Sequence, residues 1–163
     1  MKRLILVRHA KSGWNDGIKS DFDRTLTKQG NIDASEMATL IKHSVTKLDK
    51  IISSPAVRAI STAQYFANSF DVDFSDIQID TGLYEKGVSH IKRIIASQND
   101  SLECIMLVGH NPVLTSLTTN LTADEIPALE ACSVVCIDFS ISQWSEIEKT
   151  NGKLIFIEAP FLL

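Results

Sequence analysis

Leu4-Ile5-Leu6-Val7-Arg8-His9 indicates the architecture of this chain, because a short apolar run passes directly into side chains that can carry positive charge. The same pattern recurs at Ile51-Ile52-Ser53-Ser54-Pro55 with Arg58, and at Ile105-Met106-Leu107-Val108-Gly109-His110-Asn111-Pro112. Each apolar run suits a short buried strand, and each is followed by a turn and a helix-like stretch. Three strand-to-helix junctions of this kind predict an α/β fold around a central sheet.

These junctions place similar side chains at one edge of the predicted sheet. In open α/β sheets the carboxyl ends of the strands face a common crevice, so residues far apart in sequence meet there. We therefore expect four side chains to converge: Arg8, His9, Arg58 and His110. Ser54-Pro55 and Asn111-Pro112 have the composition of a helix N-cap followed by a first helical residue, which would direct two helix N-termini at the crevice. The expected ligand is an anion, and a tetrahedral phosphoryl group suits two guanidinium forks.

The rest of the chain supplies helices for both faces of that sheet. Apolar residues recur at helical spacing in segments that include Met37 to Ile41, Ala59 to Phe70, Val88 to Ile95 and Leu114 to Leu121. The polar stretch from Ala10 to Arg24 predicts a long loop, Ile77 and Ile79 a short strand, and residues 133–139 and 154–157 a closing hairpin. We predict one domain over residues 1–163, a three-layer α/β/α sandwich with a mixed, mostly parallel central sheet.

Composition narrows the classes of function. A formal net charge of -4 without a block rich in Lys or Arg argues against a nucleic-acid surface. No apolar run approaches membrane-spanning length, and no signal-peptide core follows Met1. Cys104, Cys132 and Cys136 are odd in number and lack C-x-x-C spacing, so we expect reduced core thiols in a cytoplasmic protein rather than metal ligands.

Four motifs carry a resemblance to a known family. Arg8-His9-Ala10-Lys11-Ser12-Gly13-Trp14-Asn15 resembles the R-H-G-x-[ST]-x-x-N signature of the histidine phosphatase superfamily, the phosphoglycerate mutase-like proteins, with Ala10 in place of the usual Gly. Within it the chain is most similar to the short SixA-type phosphohistidine phosphatases. The shared segments are R-H-A-K-S, Asp21 to Gly30, Ser53 to Ala63 and Val108 to Pro112, and the likeness extends to Trp144 and Pro160.

The resemblance implies that His9 is a nucleophile forming a phosphohistidine intermediate, and that Arg8, Arg58 and His110 form the phosphate pocket. The chemistry of these residues agrees. A neutral imidazole offers one lone pair to phosphorus, while the two arginines stabilise the charge on the transferring group. His110 would serve best as a protonated donor, a state that a bound phosphate dianion favours. Neither a metal nor another cofactor is expected.

For several residues near this predicted pocket, the sequence allows both a functional and a structural role. Ser12 and Asn15 could donate to the phosphoryl group or simply form turns. Asp21, Asp23 and Arg24 could line the substrate entrance, although a structural ion pair is favoured. In longer relatives a Glu two residues after a Leu protonates the leaving group, and Leu83-Tyr84-Glu85 fits that pattern. Glu85 is therefore a tentative general acid, with a solvated carboxylate at a helix start as its alternative.

The expected function is a metal-independent phosphatase that acts in two steps through His9. A phosphohistidine on a protein is the favoured substrate, because no insertion large enough to cap the crevice follows the second strand. The alternatives are a small phosphate ester or sugar phosphate as substrate and, from another class, a noncatalytic phosphoryl-binding module. Expected partners are thus a histidine-phosphorylated carrier protein or a small phosphate ester. The final Phe161-Leu162-Leu163 could pack on the core or mark an interface.

Overall fold

A six-stranded sheet forms the centre of the computed structural model, which describes residues 1–160 and leaves Phe161-Leu162-Leu163 outside the described residues. The strands are β1 (Lys2–Arg8), β2 (Ser12–Gly13), β3 (Thr25–Leu26), β4 (Lys50–Ser53), β5 (Gln78–Ile79), β6 (Cys104–Gly109), β7 (Val134–Phe139) and β8 (Lys153–Glu158). The helices are α1 (Lys28–Ser44), α2 (Val57–Ser69), α3 (Gly82–Glu85), α4 (Val88–Ala96) and α5 (Val113–Thr122). Single 3-10 turns lie at Asp21–Asp23, Phe74–Asp76 and Trp144–Glu146.

The strand order is β5-β4-β6-β1-β7-β8, and β5, β4, β6 and β1 are parallel. Strand β7 runs antiparallel to both β1 and β8, so the sheet is mixed and mostly parallel, as predicted. Arg8 pairs with Gly109, and Ser53 pairs with Val108. The carboxyl ends of β1, β6 and β4 therefore lie side by side, which brings the three predicted junctions together.

Two apolar cores cover the two faces of the sheet. Successive side chains of a strand point to opposite faces. Accordingly, Ile5 and Val7 of β1 pack with residues of α1 and α2, while Leu4 and Leu6 pack with residues of α4 and α5. All four of these β1 side chains are fully buried. The buried run of β1 thus belongs to both cores, which accounts for its continuous apolar character.

Both helices that follow the long parallel strands begin later than predicted. The N-cap of α2 is Ala56 rather than Ser54, and the N-cap of α5 is Pro112 rather than Asn111. Ser54 instead stabilises the turn before α2, whereas Asn111 still caps the first turn of α5 from one residue further back. The Ser54 hydroxyl accepts from the Ala56 N–H at 3.2 Å, and the Asn111 carboxamide oxygen accepts from the Thr115 N–H at 3.2 Å.

Two connections also differ in detail from the prediction. The long loop after β1 contains β2, which pairs antiparallel with β3, and the 3-10 turn at Asp21–Asp23. Strands β7 and β8 are antiparallel neighbours, as the predicted closing hairpin requires, and the chain that joins them includes another 3-10 turn. A Cβ at Gly152 would lie 2.4 Å from Ile137 Cγ2, so this glycine permits close packing against β7.

The three cysteines are free and buried, as expected of core thiols. Burial raises the pKa of the Cys104 thiol to about 12 and that of Cys136 to about 11, which keeps both protonated at neutral pH. Over residues 1–160, no helix is both long enough and apolar enough to cross a membrane.

Candidate active site

His9 lies immediately after β1, and hydrogen bonds fix its backbone on both sides. Its N–H donates to the Gly109 carbonyl at 3.0 Å, and its carbonyl accepts from the Cys132 N–H at 3.1 Å. The ring Nδ1 lies 2.8 Å from the Ala10 carbonyl oxygen. Because a carbonyl can only accept, Nδ1 carries the proton and Nε2 presents its lone pair.

The turn that carries His9 is joined to helix α2 by one hydroxyl group. The Thr62 hydroxyl accepts from the Ala10 N–H at 3.0 Å and donates to the Arg58 carbonyl at 2.8 Å. Thr62 is fully buried. Because both bonds are shielded from water, Thr62 sets the spacing between the residue after His9 and the helix turn that carries Arg58.

The His9 ring is neutral at physiological pH. Burial lowers the pKa of His9 to about 4, and the positive charges of Arg58 and Arg8 act in the same direction, outweighing the opposing hydrogen bond to Ala10. Protonation would place a cation beside two guanidinium groups in a site with little water. The lone pair on Nε2 therefore stays available for attack on an electrophile.

Arg58 lies in the first turn of α2, and its side chain is only 7% exposed. Its Nε donates to His9 Nε2 at 3.3 Å. The other two nitrogens donate to Asp21, one to the backbone carbonyl at 2.6 Å and one to the carboxylate Oδ2 at 2.9 Å. The guanidinium group thus lies between the His9 lone pair and an acidic side chain.

Arg8 is oriented by the segment between α5 and β7. One terminal nitrogen donates to the Leu129 carbonyl at 2.6 Å, and the Asn111 amide donates to the same oxygen at 2.9 Å. The Nε of Arg8 is buried and has no hydrogen-bond partner among residues 1–160. Because a buried donor without a partner is costly, this group is suited to binding an anion in the cavity.

His110 is held in one tautomer by Ser54. The Ser54 hydroxyl accepts from the Ala56 N–H and lies 2.7 Å from His110 Nε2, which is the one acceptor for its proton among the described residues, so the hydroxyl donates to that nitrogen. The proton of the neutral ring therefore lies on Nδ1, which is buried and unpartnered within the described part of the chain. Burial lowers the pKa of His110 to about 3, with a further contribution from His9, so the ring is a neutral donor until an anion binds.

An acidic side chain, Asp21, also lines the cavity. Its carboxylate accepts from Arg58, from the Tyr84 hydroxyl at 2.9 Å and from Arg24 at 3.1 Å. Partial burial opposes ionisation of this carboxyl, but these hydrogen bonds outweigh it and lower the pKa of Asp21 to about 2. Asp21 and Arg24 thus form the ion pair that the sequence favours, and both also line the entrance.

Helix α3 presents Tyr84 to the cavity. A Cβ at Gly82 would lie 1.9 Å from His90 Nε2, so the glycine allows α3 to pack closely against α4. Asp80 accepts from the Gly82 N–H at 2.8 Å and lies 3.1 Å from His90 Nε2. His90 therefore has a packing role between α3 and α4.

The cavity has a volume of about 430 Å³ and is lined by Arg8, His9, Asp21, Arg24, Arg58, Tyr84, His110 and Asn111. All four residues that were predicted to converge are among them. Aromatic rings continue outward from His9: the centroids of His9 and His110 are 5.1 Å apart, those of His110 and Tyr84 5.4 Å, and those of Tyr84 and Phe22 5.4 Å. No cluster of potential metal ligands occurs within residues 1–160.

Three of the predicted site residues lie outside this cavity lining. Ser12 belongs to β2, and its buried hydroxyl has no partner among the described residues. The Asn15 amide donates to the Thr25 hydroxyl at 2.8 Å, which fits its interpretation as a loop-forming residue. Glu85 is exposed at the end of α3. Its neighbour Tyr84 occupies the position in the cavity instead, because consecutive residues of a helix point about 100° apart.

We expect the Glu85→Gln substitution to leave kcat/KM within about two-fold of wild type, as for other exposed substitutions. Steady-state hydrolysis of an aryl phosphate is the sensitive measurement, because an aryl or alkyl ester needs leaving-group assistance more than a phosphoramidate does. A loss of ten-fold or more on the ester, with phosphoramidate hydrolysis unaffected, would restore Glu85 as the general acid.

We expect His9 and His110 to remain neutral, with the proton on Nδ1, from pH 8 down to about pH 5. Their lowered pKa values place protonation well below the ordinary value of about 6.5. Two-bond nitrogen–proton NMR of the imidazole rings reports both the charge and the tautomer, and the His9→Asn and His110→Asn variants would assign the signals of the two cavity rings. A titration midpoint near 6.5 for either cavity ring would contradict this expectation.

Comparison with known proteins agrees with the motifs. Residues 4–94 match the family model of the histidine phosphatase superfamily (branch 1), which covers more than half of the chain. The chain therefore belongs to the histidine phosphatase superfamily. An uncharacterized chloroplastic protein of Arabidopsis thaliana is 26% identical over 159 residues, a match covering 93% of this chain and 72% of the relative.

Solved structures place the chain more narrowly within that class. A protein from Agrobacterium tumefaciens, assigned as a phosphohistidine phosphatase SixA, is 27% identical with a TM-score of 0.82 over 98% of both chains. A protein histidine phosphatase SixA complexed with tungstate has a TM-score of 0.83 at 18% identity, again over 98% of both chains. A mycobacterial glucosyl-3-phosphoglycerate phosphatase has a TM-score of 0.67 at 15% identity, covering 94% of this chain and 97% of that one. The SixA-type, phosphoglycerate mutase-like fold predicted from the sequence is confirmed, and phosphatase activity is supported.

Proposed function

We propose that this protein is a phosphatase that removes the phosphoryl group from phosphohistidine on a protein, with His9 as the nucleophile. The observation that carries the proposal is the neutral His9 ring, whose Nε2 lone pair lies in a cavity with the donors of Arg8, Arg58 and His110. A nucleophile, two guanidinium groups and a neutral N–H donor together match the needs of phosphoryl transfer.

In the first step, His9 Nε2 attacks phosphorus while the bond from phosphorus to the leaving group breaks. Arg58 Nε, which donates to His9 Nε2 at 3.3 Å without a ligand, would shift that hydrogen bond to a phosphoryl oxygen. Arg8 Nε and His110 Nδ1, both without a partner among the described residues, would donate to the same group. The cations thereby stabilise the charge that spreads over the phosphoryl oxygens in the transition state.

In the second step, water attacks the phosphorus of the phosphorylated His9, and the ring leaves with the electron pair of the P–N bond. The Ala10 carbonyl keeps the proton on Nδ1 throughout, so His9 departs as a neutral imidazole. Inorganic phosphate is the product. The enzyme returns to its starting state without needing an external proton for His9.

Two features support a protein as the carrier of the phosphoryl group. Trp14 and Phe22 are 61% and 37% exposed, and both adjoin the cavity lining. The Trp14 ring lies 5.5 Å from the Arg24 guanidinium, while the Phe22 ring packs on Tyr84. Exposed aromatic side chains around a polar site are typical of surfaces that contact a protein partner.

Among residues 1–160, the cavity lining contains no carboxylic acid able to protonate a leaving group, which favours substrates with a P–N bond over substrates with a P–O bond. Asp21 is the only carboxyl among the lining residues, and its pKa of about 2 keeps it ionised at neutral pH. An alkoxide leaving group needs a proton from the enzyme, whereas a phosphohistidine already protonated on its other ring nitrogen leaves as neutral imidazole. SixA neighbours are consistent with this substrate class.

A small phosphate ester is the second candidate, because a cavity of about 430 Å³ falls within the usual range of small-molecule sites. The structural likeness to a glucosyl-3-phosphoglycerate phosphatase points to the same alternative. A noncatalytic binding module is disfavoured, because no member of the four-residue set is missing from the cavity.

The deciding experiment measures phosphate release from a histidine-phosphorylated carrier protein and from p-nitrophenyl phosphate, with His9→Asn as the control. We expect wild type to prefer the carrier strongly in kcat/KM and His9→Asn to release phosphate from neither. Preference for the aryl ester would leave His9 as the proposed nucleophile but indicate that the natural substrate is a small phosphate ester. Equal release by wild type and His9→Asn would contradict the proposed mechanism.

A further inference from the structure

A carboxylate beside a phosphate pocket needs a physical explanation. Asp21 pairs with Arg58, the side chain that also contacts the nucleophile, so it reduces the positive charge available to a phosphoryl group. Its own negative charge also repels a phosphate dianion, since like charges a few ångströms apart disfavour each other. A site built only to bind phosphate would be stronger without it.

Asp21 lies on the outer side of the cavity. Its side chain is 48% exposed, whereas His9 is 9% exposed at the inner end. In-line displacement requires the leaving group to lie opposite the attacking atom. With His9 Nε2 attacking from within, the leaving group faces outward, towards the wall that contains Asp21, Arg24 and Tyr84.

The Asp21 carboxylate has acceptor capacity left on that side. Its Oδ2 accepts from both Arg58 and Tyr84, but its Oδ1 accepts only from Arg24 within the described part of the chain. Each carboxylate oxygen can accept about two hydrogen bonds. One acceptor position on Oδ1 is therefore open to an N–H donor from a ligand.

We propose that Asp21 selects substrates whose leaving group is a protonated imidazole, by accepting a hydrogen bond from the ring N–H remote from phosphorus. This inference rests on the proposed phosphohistidine phosphatase function and identifies the part of the site that recognises the leaving group. The cationic ring offsets the repulsion between Asp21 and the phosphoryl group, which a phosphate ester cannot do. The ring of Tyr84, bonded to the same carboxylate, provides an adjoining aromatic surface.

The proton balance of this step is simple. The P–N bond breaks, its electron pair stays on the ring nitrogen, and the imidazolium becomes a neutral imidazole that keeps its remote proton. Asp21 remains a carboxylate throughout and transfers no proton. Its effect is to hold the bound substrate in the protonated form, from which the P–N bond breaks readily.

The test compares Asp21→Asn with wild type on phosphohistidine and on p-nitrophenyl phosphate. We expect kcat/KM for phosphohistidine to fall about 10-fold to 100-fold, the range of a charged hydrogen bond. Loss of the repulsion between Asp21 and the phosphoryl group should offset part of any loss on the aryl phosphate, so the readout is the ratio of the two kcat/KM values, which should shift towards the ester. Asp21→Glu keeps the charge and should retain most of the preference.

A matched control and a pH profile distinguish two roles for Asp21: recognition of the leaving group, and positioning of Arg58. Asp23→Asn changes a carboxylate of the same 3-10 turn that bonds Ser20 and lies outside the cavity lining, so the substrate preference should not move. With phosphohistidine, the alkaline limb of kcat should shift to lower pH in Asp21→Asn, because the bound ring then loses its proton more easily. Other groups lining the cavity that bear on this profile are Arg8, His9, Arg24, Arg58, Tyr84 and His110.

The outcomes distinguish the two proposals. Equal losses on both substrates in Asp21→Asn, with wild type still preferring phosphohistidine, would overturn the selection role and leave the proposed function standing. A wild type that hydrolyses the aryl ester through His9 but not phosphohistidine would overturn the proposed substrate and the Asp21 inference together. Retained hydrolysis of the aryl ester by Asp21→Asn shows that the variant is folded.

Discussion

Replacing His9 by asparagine is expected to lower kcat on every phosphorylated substrate by at least about 10³-fold. Asparagine preserves an N–H donor for the Ala10 carbonyl but offers no lone pair to phosphorus. The remaining donors of Arg8, Arg58 and His110 should still bind phosphate or vanadate, because they do not depend on the nucleophile. Phosphate release measures the loss of turnover. Calorimetry of vanadate binding to the variant measures the anion affinity that remains.

A trapped intermediate gives the same prediction a second test. Wild type quenched in alkali during turnover should carry acid-labile phosphate on a peptide containing His9, and His9→Asn should carry none. The His43→Gln variant, which alters a histidine outside the cavity lining, provides the matched control and should label as wild type does. Labelling of the His9→Asn protein at another residue would require a different nucleophile.

The Arg58→Met substitution is expected to reduce kcat/KM by about 10² to 10⁴-fold on both phosphohistidine and aryl phosphate. Methionine keeps an apolar chain of similar reach but removes the donors near His9 Nε2. It also leaves Asp21 without its most buried partner, so the uncompensated carboxylate charge would repel the phosphoryl group. The measurement is the steady-state kcat/KM together with the affinity for vanadate.

Combining Arg58→Met with Asp21→Asn separates these two causes. If the unpaired carboxylate contributes, the double variant should recover part of the loss on aryl phosphate, although not wild-type activity. Arg93→Met, on the exposed side of α4, is the control for loss of one positive charge and should leave both substrates unaffected. If kcat/KM of the Arg58→Met variant lies within five-fold of wild type, Arg58 does not stabilise the transition state.

The convergence of Arg8, His9, Arg58 and His110 could be predicted from the sequence because each lies at or soon after the carboxyl end of a parallel strand. The register of β1, β6 and β4 then brings these ends together without any further information. The antiparallel pairing of β7 with β8 could also be predicted, since both are short apolar runs that follow each other near the end of the chain.

Positions that depend on the rotation of one helix or the course of one loop could not be predicted in this way. The motif Leu83-Tyr84-Glu85 indicates that a residue of this segment reaches the cavity, but only the packing of α3 against His90 determines that it is Tyr84. The role of Leu129 is equally hidden, because its backbone carbonyl, rather than its side chain, orients Arg8. The proximity of Asp21 and Arg58 could be found only once the fold had placed a loop residue beside α2.

The hydrogen bonds of the Thr62 hydroxyl distinguish two halves of the candidate site, a rigid half that they hold together and an adaptable half that they do not contact. The rigid half contains His9 and Arg58, held at one spacing by two buried hydrogen bonds. The adaptable half comes from residues 20–24 and the segment around Leu129, which connect elements rather than belong to the sheet. Laboratory evolution towards a new leaving group should therefore randomise those two segments and leave Thr62 unchanged. Libraries built in this way would vary the leaving-group side of the cavity while every member keeps His9 and Arg58 at the same spacing.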